Sequence, residues 1–212
     1  SFDLNKRDMK DYIDLPSDYL YEPGSVMKGI TYSAAIDSGK YPYNETFDSG
    51  AFHFVEDSKG KIYRTSNSDL TIYDALGKNH GTVTFDKGFV LSSNIGICEL
   101  LTKYMDPSIY KEYLDKFGFL KPVNSPFLNN RGGTIFFNYA SEKLSTGFGQ
   151  AISVNALQMV QAYSAIFNDG KMVEPFVVDR IENANGKIVK QYDTTIAGQP
   201  ISEKTSKYMQ KL

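Results

Sequence analysis

The stretch YEPGSVMKGI, residues 21–30, joins a Pro-Gly turn to a helical pattern. Apolar side chains recur at helical spacing from Met27 to Ala34, and Gly39 follows them as a stop signal. This pattern predicts a helix over about Ser25 to Ile36, with the serine in its first turn. A lysine follows the serine after two intervening residues, so the stretch raises the question of a nucleophile and its base.

Ser-x-x-Lys occurs three times in the chain, as Ser25–Lys28, Ser58–Lys61 and Ser108–Lys111. Each copy has an ordinary structural reading as a helix cap, a turn or a solvated face. On a helix, however, positions three apart share a face with Cβ atoms about 5–6 Å apart, so a lysine can reach the hydroxyl. A serine in the first turn also has free backbone N–H groups beside it, and these can stabilise an oxyanion.

The three copies differ in their surroundings. Ser58–Lys61 falls in a predicted hairpin turn, where both side chains point to water. Ser108 begins a predicted helix, but its lysine faces a charged surface that contains Glu112 and Asp115. Context therefore favours Ser25 as a nucleophile and Lys28 as its base, provided that burial lowers the pKa of the lysine.

A second polar pair stands in LSSNIG, residues 91–96, where two predicted helices meet. Ser92 could relay a proton, and Asn94 could hold an amide of a substrate. Ser-x-Asn is a common pattern, because Ser153–Asn155 also matches it and is interpreted there as a helix cap. The residues alone leave both readings open, a four-residue site and a set of ordinary caps.

Composition narrows the class of protein. The 212 residues are 41% hydrophobic and 23% charged, as in a globular domain, and the net charge of −2 gives no basic footprint for nucleic acid. Charges interrupt every apolar run, and the chain opens on polar residues, so neither a membrane span nor a signal peptide is expected. Cys98 is the only cysteine and is expected to be a buried, inert thiol. His53 and His80 lie apart in the sequence, so no metal site is expected.

Patterns elsewhere in the chain predict further helices and hairpins. They are a hairpin from residues 51–57 and 61–66, a helix capped by Thr84, a helix over Asn94 to Tyr104, a helix from Pro107 to Gly118, a helix from Asn155 to Gly170, a hairpin across Asn185-Gly186 and a helix from Ser202. The apolar face of the helix after Asn155 is predicted to comprise Met159, Val160, Tyr163, Ile166 and Phe167. Residues 1–20 are predicted to be extended, and residues 120–145 irregular.

The chain resembles the class B penicillin-binding proteins, and more narrowly the division-type transpeptidases of Gram-positive-like bacteria. The match runs in order over nearly all 212 residues, through FDLNKR, YEPGSVMKGITYSAAID, TIYDAL, GTVTFDKGFVLSSNIG, YLDKFGF, STGFGQAISVNALQMVQAYSAIFNDGKMVEPFVVDRIENANGKIV and ISEKTSKYM. The resemblance implies a helix-rich α+β architecture, part of the penicillin-recognising serine transpeptidase and β-lactamase-like fold. Most of the central antiparallel sheet of that fold is expected to be missing.

The resemblance also implies roles for the four candidate residues. Ser25 would be the acylated nucleophile, Lys28 its proton acceptor and Ser92 the relay of the proton to the leaving group. Asn94 would bind an amide of the stem peptide or of a β-lactam side chain. The implied substrate is the D-Ala-D-Ala end of a peptidoglycan stem peptide, whose acyl group then passes to an amine of a neighbouring stem. No metal or organic cofactor is implied. Ala151 stands where the family usually has glycine.

The third motif of the family, Lys-Thr/Ser-Gly on a sheet strand, is not found. Lys204-Thr205-Ser206 lacks the glycine and lies in a predicted helix, so we reject it as that motif. We interpret residues 1–212 as a partial transpeptidase domain with no second domain. The missing strand would supply one of two oxyanion N–H donors, worth about 2.7–4 kcal/mol of transition-state stabilisation. The parent protein is therefore expected to be an enzyme, and the 212 residues alone are expected to be inactive or nearly so.

Partners and location follow from the same resemblance. The implied partners are peptidoglycan stem peptides, β-lactam antibiotics and a glycan-polymerising division protein. The implied location is the extracytoplasmic face of the cell membrane, through an anchor outside this sequence. A D,D-carboxypeptidase, a β-lactamase or a β-lactam sensor of the same fold is the nearest alternative. A non-catalytic scaffold is the alternative from a different class.

Overall fold

The computed structural model describes residue 5 and residues 14–125 and 128–212. Most of the segment predicted to be extended at the start of the chain lies outside these residues. The described helices are α1 (Leu15–Asp18), α2 (Met27–Asp37), α3 (Phe85–Val90), α4 (Asn94–Glu99), α5 (Pro107–Lys116), α6 (Ala140–Ser145), α7 (Ala156–Phe167) and α8 (Glu203–Lys211). Short 3-10 turns cover Gly24–Val26 and Thr146–Phe148, and a π-helical turn, Leu100–Tyr104, extends α4.

The described strands are short and pair antiparallel in small sheets. They are β1 (Thr46–Asp48), β2 (Phe52–Glu56), β3 (Ile62–Arg64), β4 (Thr71–Ile72), β5 (Thr82–Thr84), β6 (Thr134–Ile135), β7 (Ile152–Ser153), β8 (Met172–Val173), β9 (Arg180–Glu182), β10 (Ile188–Gln191) and β11 (Ile196–Gly198). The pairs are β1–β5, β6–β7, β8–β11 and β9–β10, and β2 pairs with both β3 and β4. Helices and small sheets therefore make up a mixed α+β fold, as the sequence predicts. In the described part of the chain, no helix has the length and apolarity that a bilayer span requires.

Helix α2 lies at the centre of the molecule. Every residue from Met27 to Ile36 is buried, which is typical of a helix that is surrounded by other elements. Polar side chains inside it are satisfied by neighbouring backbone. Thr31 Oγ1 donates to the carbonyl of Gly147 at 2.7 Å, and Tyr32 Oη donates to the carbonyl of Phe85 at 3.0 Å. These two bonds tie α2 to the elements that surround it.

The 3-10 turn Thr146–Phe148 and Gly149 pack directly behind the start of α2. The backbone N–H of Gly24 donates to the carbonyl of Gly149 at 2.9 Å. Gly149 has φ of +81°, and a Cβ atom there would lie 2.0 Å from the carbonyl oxygen of Gly24. Only glycine allows this approach of the two backbones, so the position of the turn before α2 depends on it.

Local signals predicted the helix starts well. Side chains of Thr84, Asp106, Asn155 and Ser202 accept hydrogen bonds from backbone N–H groups two or three residues later. The predicted hairpin of residues 51–66 is confirmed as β2–β3, and the predicted turn at Asn185-Gly186 joins β9 to β10. The helix predicted from Ser25 begins as a 3-10 turn and becomes α-helical at Met27.

The predicted buried face of α7 is partly wrong. Val160 and Phe167 are 62% and 70% exposed, whereas Gln158 and Gln161 are buried. Gln158 is buried because its amide Nε2 donates to three carbonyls of the loop after α5, at 3.0–3.2 Å. A hydrogen-bonded amide can therefore occupy the core in place of an apolar side chain, and the apolar pattern alone did not reveal it.

The prediction that residues 120–145 are irregular is also partly wrong, because they contain β6 and α6. Strand β6 consists of two residues that pair with β7, which is too short for an alternating pattern. Helix α6 starts at Ala140, and the Glu142 side chain accepts from the backbone N–H of Tyr139 at 3.1 Å. Elements of this length give no periodic signal in a sequence.

Two glycine-to-alanine substitutions distinguish the effect of a steric clash on stability from the effect of a left-handed backbone alone. Gly149→Ala should lower the free energy of unfolding by at least about 3 kcal/mol, because the new Cβ meets the Gly24 backbone. Gly186→Ala has a similar φ, +76°, but open space around the new atom, so it should lose only about 1–2 kcal/mol. Urea unfolding of both variants measures the difference. Equal losses would contradict the close approach of Gly24 and Gly149.

Candidate active site

Ser25 lies in the 3-10 turn that leads into α2. Pro23 precedes the turn and Gly24 adopts a φ of +60°, a left-handed conformation that suits glycine. The side chain of Ser25 is exposed, and the neighbouring Val26 is 54% exposed. The hydroxyl therefore stands on an open surface at the N-terminal end of a buried helix.

Lys28 is the buried partner of this hydroxyl. Its side chain is 3% exposed, and Nζ donates to Ser25 Oγ at 3.2 Å and to Ser92 Oγ at 3.1 Å. Nζ also donates to the backbone carbonyl of Ser92. These three oxygens match the three donors of an ammonium group. Burial lowers the pKa of Lys28 from 10.5 to about 8, against the opposing effects of Asp74 and Cys98, which raise it.

Ser92 occupies the tight turn between α3 and α4. Its N–H donates to the carbonyl of Phe89 and the N–H of Ser93 donates to the carbonyl of Gly88, both at 2.9 Å. This pair of bonds is a Schellman motif, in which glycine usually takes the left-handed position. Here Ser92 takes that position with φ of 57°. The turn thereby aims a hydroxyl, which glycine lacks, at Lys28.

Asn94 is the first residue of α4 and is half-buried. Its Nδ2 donates to the carbonyl of Tyr73 at 2.9 Å, which fixes the side-chain amide. Within the described residues its Oδ1 has no hydrogen-bond partner, so that oxygen can accept from a ligand. The structure therefore joins Ser25, Lys28 and Ser92 by hydrogen bonds and sets Asn94 two residues further along the same turn.

The other two Ser-x-x-Lys pairs form no comparable cluster. Ser58 and Lys61 lie in the turn between β2 and β3, as predicted. The Ser108 hydroxyl donates to Asp106 at 2.6 Å, within the cap of α5. Lys111 lies with Nζ 5.4 Å from the centre of the Phe137 ring, a contact that the predicted charged surface did not anticipate.

The remaining candidates from the sequence belong to the core or to helix α8. Cys98 is fully buried, and burial raises the pKa of its thiol well above the usual value. Lys204 lies in α8, where Thr205 donates to Asp37 at 3.0 Å and Ser206 to the carbonyl of Ile166 at 2.7 Å. Among the described residues, no group of three His, Cys, Asp or Glu side chains is arranged to hold a metal ion.

Sequence reasoning missed three residues that support the site. Asp74 is 6% exposed and accepts hydrogen bonds from the turn that carries Ser92. Tyr163 of α7 donates from its hydroxyl to the carbonyl of Val26 at 2.5 Å, and Glu22 accepts from the N–H of Ala151 at 2.9 Å. Each of these bonds joins residues at least about 20 positions apart, and no local pattern signals them.

Ala151, which departs from the usual glycine, has φ of 56°. A glycine would adopt this left-handed conformation without strain, which gives a backbone reason for the glycine that the resemblance implies at this position. The N–H of Ala151 bonds to Glu22 and its carbonyl accepts from the N–H of Phe136 at 2.8 Å. These two bonds hold the alanine in the conformation.

The Ser25 side chain is exposed to solvent at this site. Two cavities of about 620 and 680 Å³ lie elsewhere, one beside Lys111 and Phe137 and the other beside Tyr43 and Tyr208. Neither is lined by Ser25, Lys28 or Ser92. Hydrogen-bond geometry, and not cavity size, identifies this site. Chemically, it offers an exposed hydroxyl, a buried amine within hydrogen-bond distance and a second hydroxyl on the other side of that amine.

Comparisons with known proteins show the family of the chain. Residues 1–212 match the family described as penicillin binding protein transpeptidase domain. The peptidoglycan D,D-transpeptidase FtsI homolog of Mesostigma viride is 26% identical over 201 residues, 87% of this chain and 31% of that protein. Stage V sporulation protein D of Bacillus subtilis is 29% identical over 201 residues, 92% of this chain and 29% of that protein.

A solved structure gives the same result for the fold. Penicillin Binding Protein 2X from Streptococcus thermophilus superposes with a TM-score of 0.79 at 27% sequence identity, over 95% of this chain and 28% of that protein. The chain thus spans about three tenths of the length of these relatives. The predicted resemblance and the predicted partial fold are confirmed: this chain belongs to the penicillin-binding protein transpeptidase domain family.

Proposed function

We propose that the protein containing this chain cross-links peptidoglycan by serine acyl transfer from D-Ala-D-Ala stem peptides. The observation that carries the proposal is the position of Lys28 Nζ, 3.2 Å from Ser25 Oγ and 3.1 Å from Ser92 Oγ. Membership of the transpeptidase family and the printed name of the Mesostigma viride relative support the same reaction. Residues 1–212 would form part of its transpeptidase domain.

In the first step the neutral amine of Lys28 takes the proton of the Ser25 hydroxyl as Oγ attacks the carbonyl carbon of the penultimate D-Ala. A bond forms between Oγ and that carbon, and the carbonyl electrons move to its oxygen. The exposed hydroxyl and the buried amine suit these two roles, since a serine needs an adjacent base to become nucleophilic. Free N–H groups at the first turn of α2 would face the developing oxyanion.

In the second step the tetrahedral intermediate loses the terminal D-Ala. Its nitrogen takes a proton from Ser92 Oγ, which is replaced by the proton held on Lys28, and the acyl-enzyme and neutral Lys28 remain. Asn94 would hold an amide of the stem peptide through its free Oδ1. An amine of a neighbouring stem then attacks the acyl-enzyme, gives up a proton through the same pair of residues and restores Ser25.

Location and partners belong to the same proposal. Cross-linking of peptidoglycan requires access to the outer side of the cytoplasmic membrane, so we place the protein at the extracytoplasmic face. β-Lactams would acylate Ser25 as analogues of the stem peptide, which the name of the family supports. A glycan-polymerising division protein is proposed as partner, because cross-linking acts on newly polymerised strands.

Labelling of the intact protein with a fluorescent penicillin tests the nucleophile. Ser25→Ala should abolish covalent labelling, because it removes the proposed nucleophile, whose Oγ lies 3.2 Å from Lys28 Nζ. Lys28→Ala should slow labelling by about 10²–10⁴-fold, the usual contribution of a general base. The rate is measured by gel fluorescence, and peptide mapping locates the adduct.

Ser58→Ala is the matched control, since Ser58 belongs to the same Ser-x-x-Lys pattern but lies in a hairpin turn. This variant should react like the wild type. Labelling that survives Ser25→Ala, or a wild-type protein that never forms an adduct, would disprove the proposed mechanism.

The pH dependence of acylation follows from Lys28. The neutral amine is the reactive form and its pKa is about 8, so the ammonium predominates below that pH. The acylation rate should rise about tenfold per pH unit below pH 8 and become constant above it. Stopped-flow acylation by a chromogenic cephalosporin between pH 5.5 and 10 measures this profile. An acylation rate that still rises steeply above pH 9 would show that the pKa of the Lys28 amine is not depressed.

A further inference from the structure

Asp74 lies in the loop after β4 and points its carboxylate at the start of α4. Oδ1 and Oδ2 accept from Ser93 Oγ at 3.0 and 2.9 Å, and Oδ1 accepts from the backbone N–H of Ile95 at 3.1 Å. The N–H of Asn94 also donates to Oδ1. A carboxylate with four such bonds and 6% exposure is fixed in place. These four bonds go to three consecutive residues, Ser93 to Ile95, which directly follow Ser92.

This turn needs an external support. Ser92 holds a left-handed φ of 57°, a conformation that is strained for a non-glycine residue. Strained residues persist only when their surroundings determine them. The Schellman bonds hold the turn from the α3 side, and Asp74 with the carbonyl of Tyr73 holds it from the other. Ser93, which bonds to Asp74, lies between the two residues that face the site.

We propose that Asp74 is a positioning residue of the acyl-transfer site: it holds the Ser92–Asn94 turn in register with Lys28 through its bonds to Ser93 and to the backbone of α4. The inference rests on the proposed function and adds to it a residue that does not touch substrate. Asp74 acts through Ser93 and the α4 backbone for geometry, and through space for charge.

The charge has a separate consequence. Within the described ranges, the groups that act electrostatically on Lys28 are Asp74 and the buried Cys98, and both oppose the lowering of the lysine pKa by burial. Because the Cys98 thiol is itself held neutral by burial, Asp74 is the charged member of this pair. Removal of its charge should therefore lower the pKa of Lys28 further. A residue that merely stabilised the fold would leave that pKa unchanged.

Three variants of the intact protein separate the two effects. Asp74→Asn removes the charge and keeps the size, and Asp74→Glu keeps the charge but moves it by one methylene. Asp106→Asn is the control, because Asp106 also caps a helix through its carboxylate but lies in the cap of α5. For each protein, the pH profile of acylation and the hydrogen exchange of a peptide covering residues 91–99 are measured.

Asp74→Asn should shift the midpoint of the pH profile to lower pH and reduce the plateau rate at least about tenfold, since small misplacements of reacting groups have effects of this size. It should also speed exchange of the Asn94 and Ile95 amides. Asp74→Glu should keep the midpoint and lose only plateau rate. Asp106→Asn should match the wild type in all three quantities.

Two results would overturn the inference. One is an Asp74→Asn protein whose midpoint, plateau and exchange equal those of the wild type. The other is a reduced plateau with the wild-type midpoint and wild-type exchange. If the wild type is never acylated, the proposed function fails by itself, and the exchange comparison still decides on Asp74. Faster exchange in Asp74→Asn alone would support its hold on the turn, and unchanged exchange would refute it.

Discussion

The site depends on one buried amine. Lys28 extends from α2, a helix whose residues from Met27 to Ile36 are all buried, and its Nζ reaches oxygens of two residues that lie 67 positions apart in the chain. An amine in such surroundings resists protonation, because burial removes the water that would stabilise its charge. The same burial demands hydrogen-bond partners for its N–H groups. Ser25 and Ser92 are those partners. The need to satisfy a buried amine therefore brings the three candidate residues together.

The backbone conformation around Lys28 also helps to position the groups of the candidate site. Gly24, Ser92 and Ala151 all adopt left-handed conformations, and Gly149 lies so close to Gly24 that no side chain fits between them. Strain of this kind is expected near functional sites, where neighbouring structure holds the chain in place. At Ser92 the strained position is filled by a residue whose hydroxyl bonds to Lys28, although glycine would be more stable there. The fold gives up stability to set that hydroxyl, and Asp74 helps to hold it.

Helix starts and turns that depend on neighbouring residues could be predicted from the sequence. The caps at Thr84 and Asn155, the helix start at Pro107 and the turn at Asn185-Gly186 depend on a few adjacent residues, and the structure confirms each of them. Burial of Gln158 and exposure of Val160 were not readable, because they depend on the loop that packs against α7. A site that joins Lys28 and Ser92 was one of two readings that the residues alone left open, because the residues between them carry no signal for the contact, and the resemblance to a family favoured it. The activity of the 212 residues alone stays a prediction.

The proposed mechanism requires that Lys28 is a buried amine with a depressed pKa. That pKa can be measured without any reaction. Lysine labelled with 13C at Cε and 15N at Nζ allows the side chain to be titrated by nuclear magnetic resonance, with Lys28→Arg to assign its signal. We expect a midpoint near pH 8 for Lys28, below the ordinary lysine value of 10.5. A Lys28 midpoint at the ordinary value of 10.5 would contradict the proposed mechanism, because burial would then not lower the pKa of this amine.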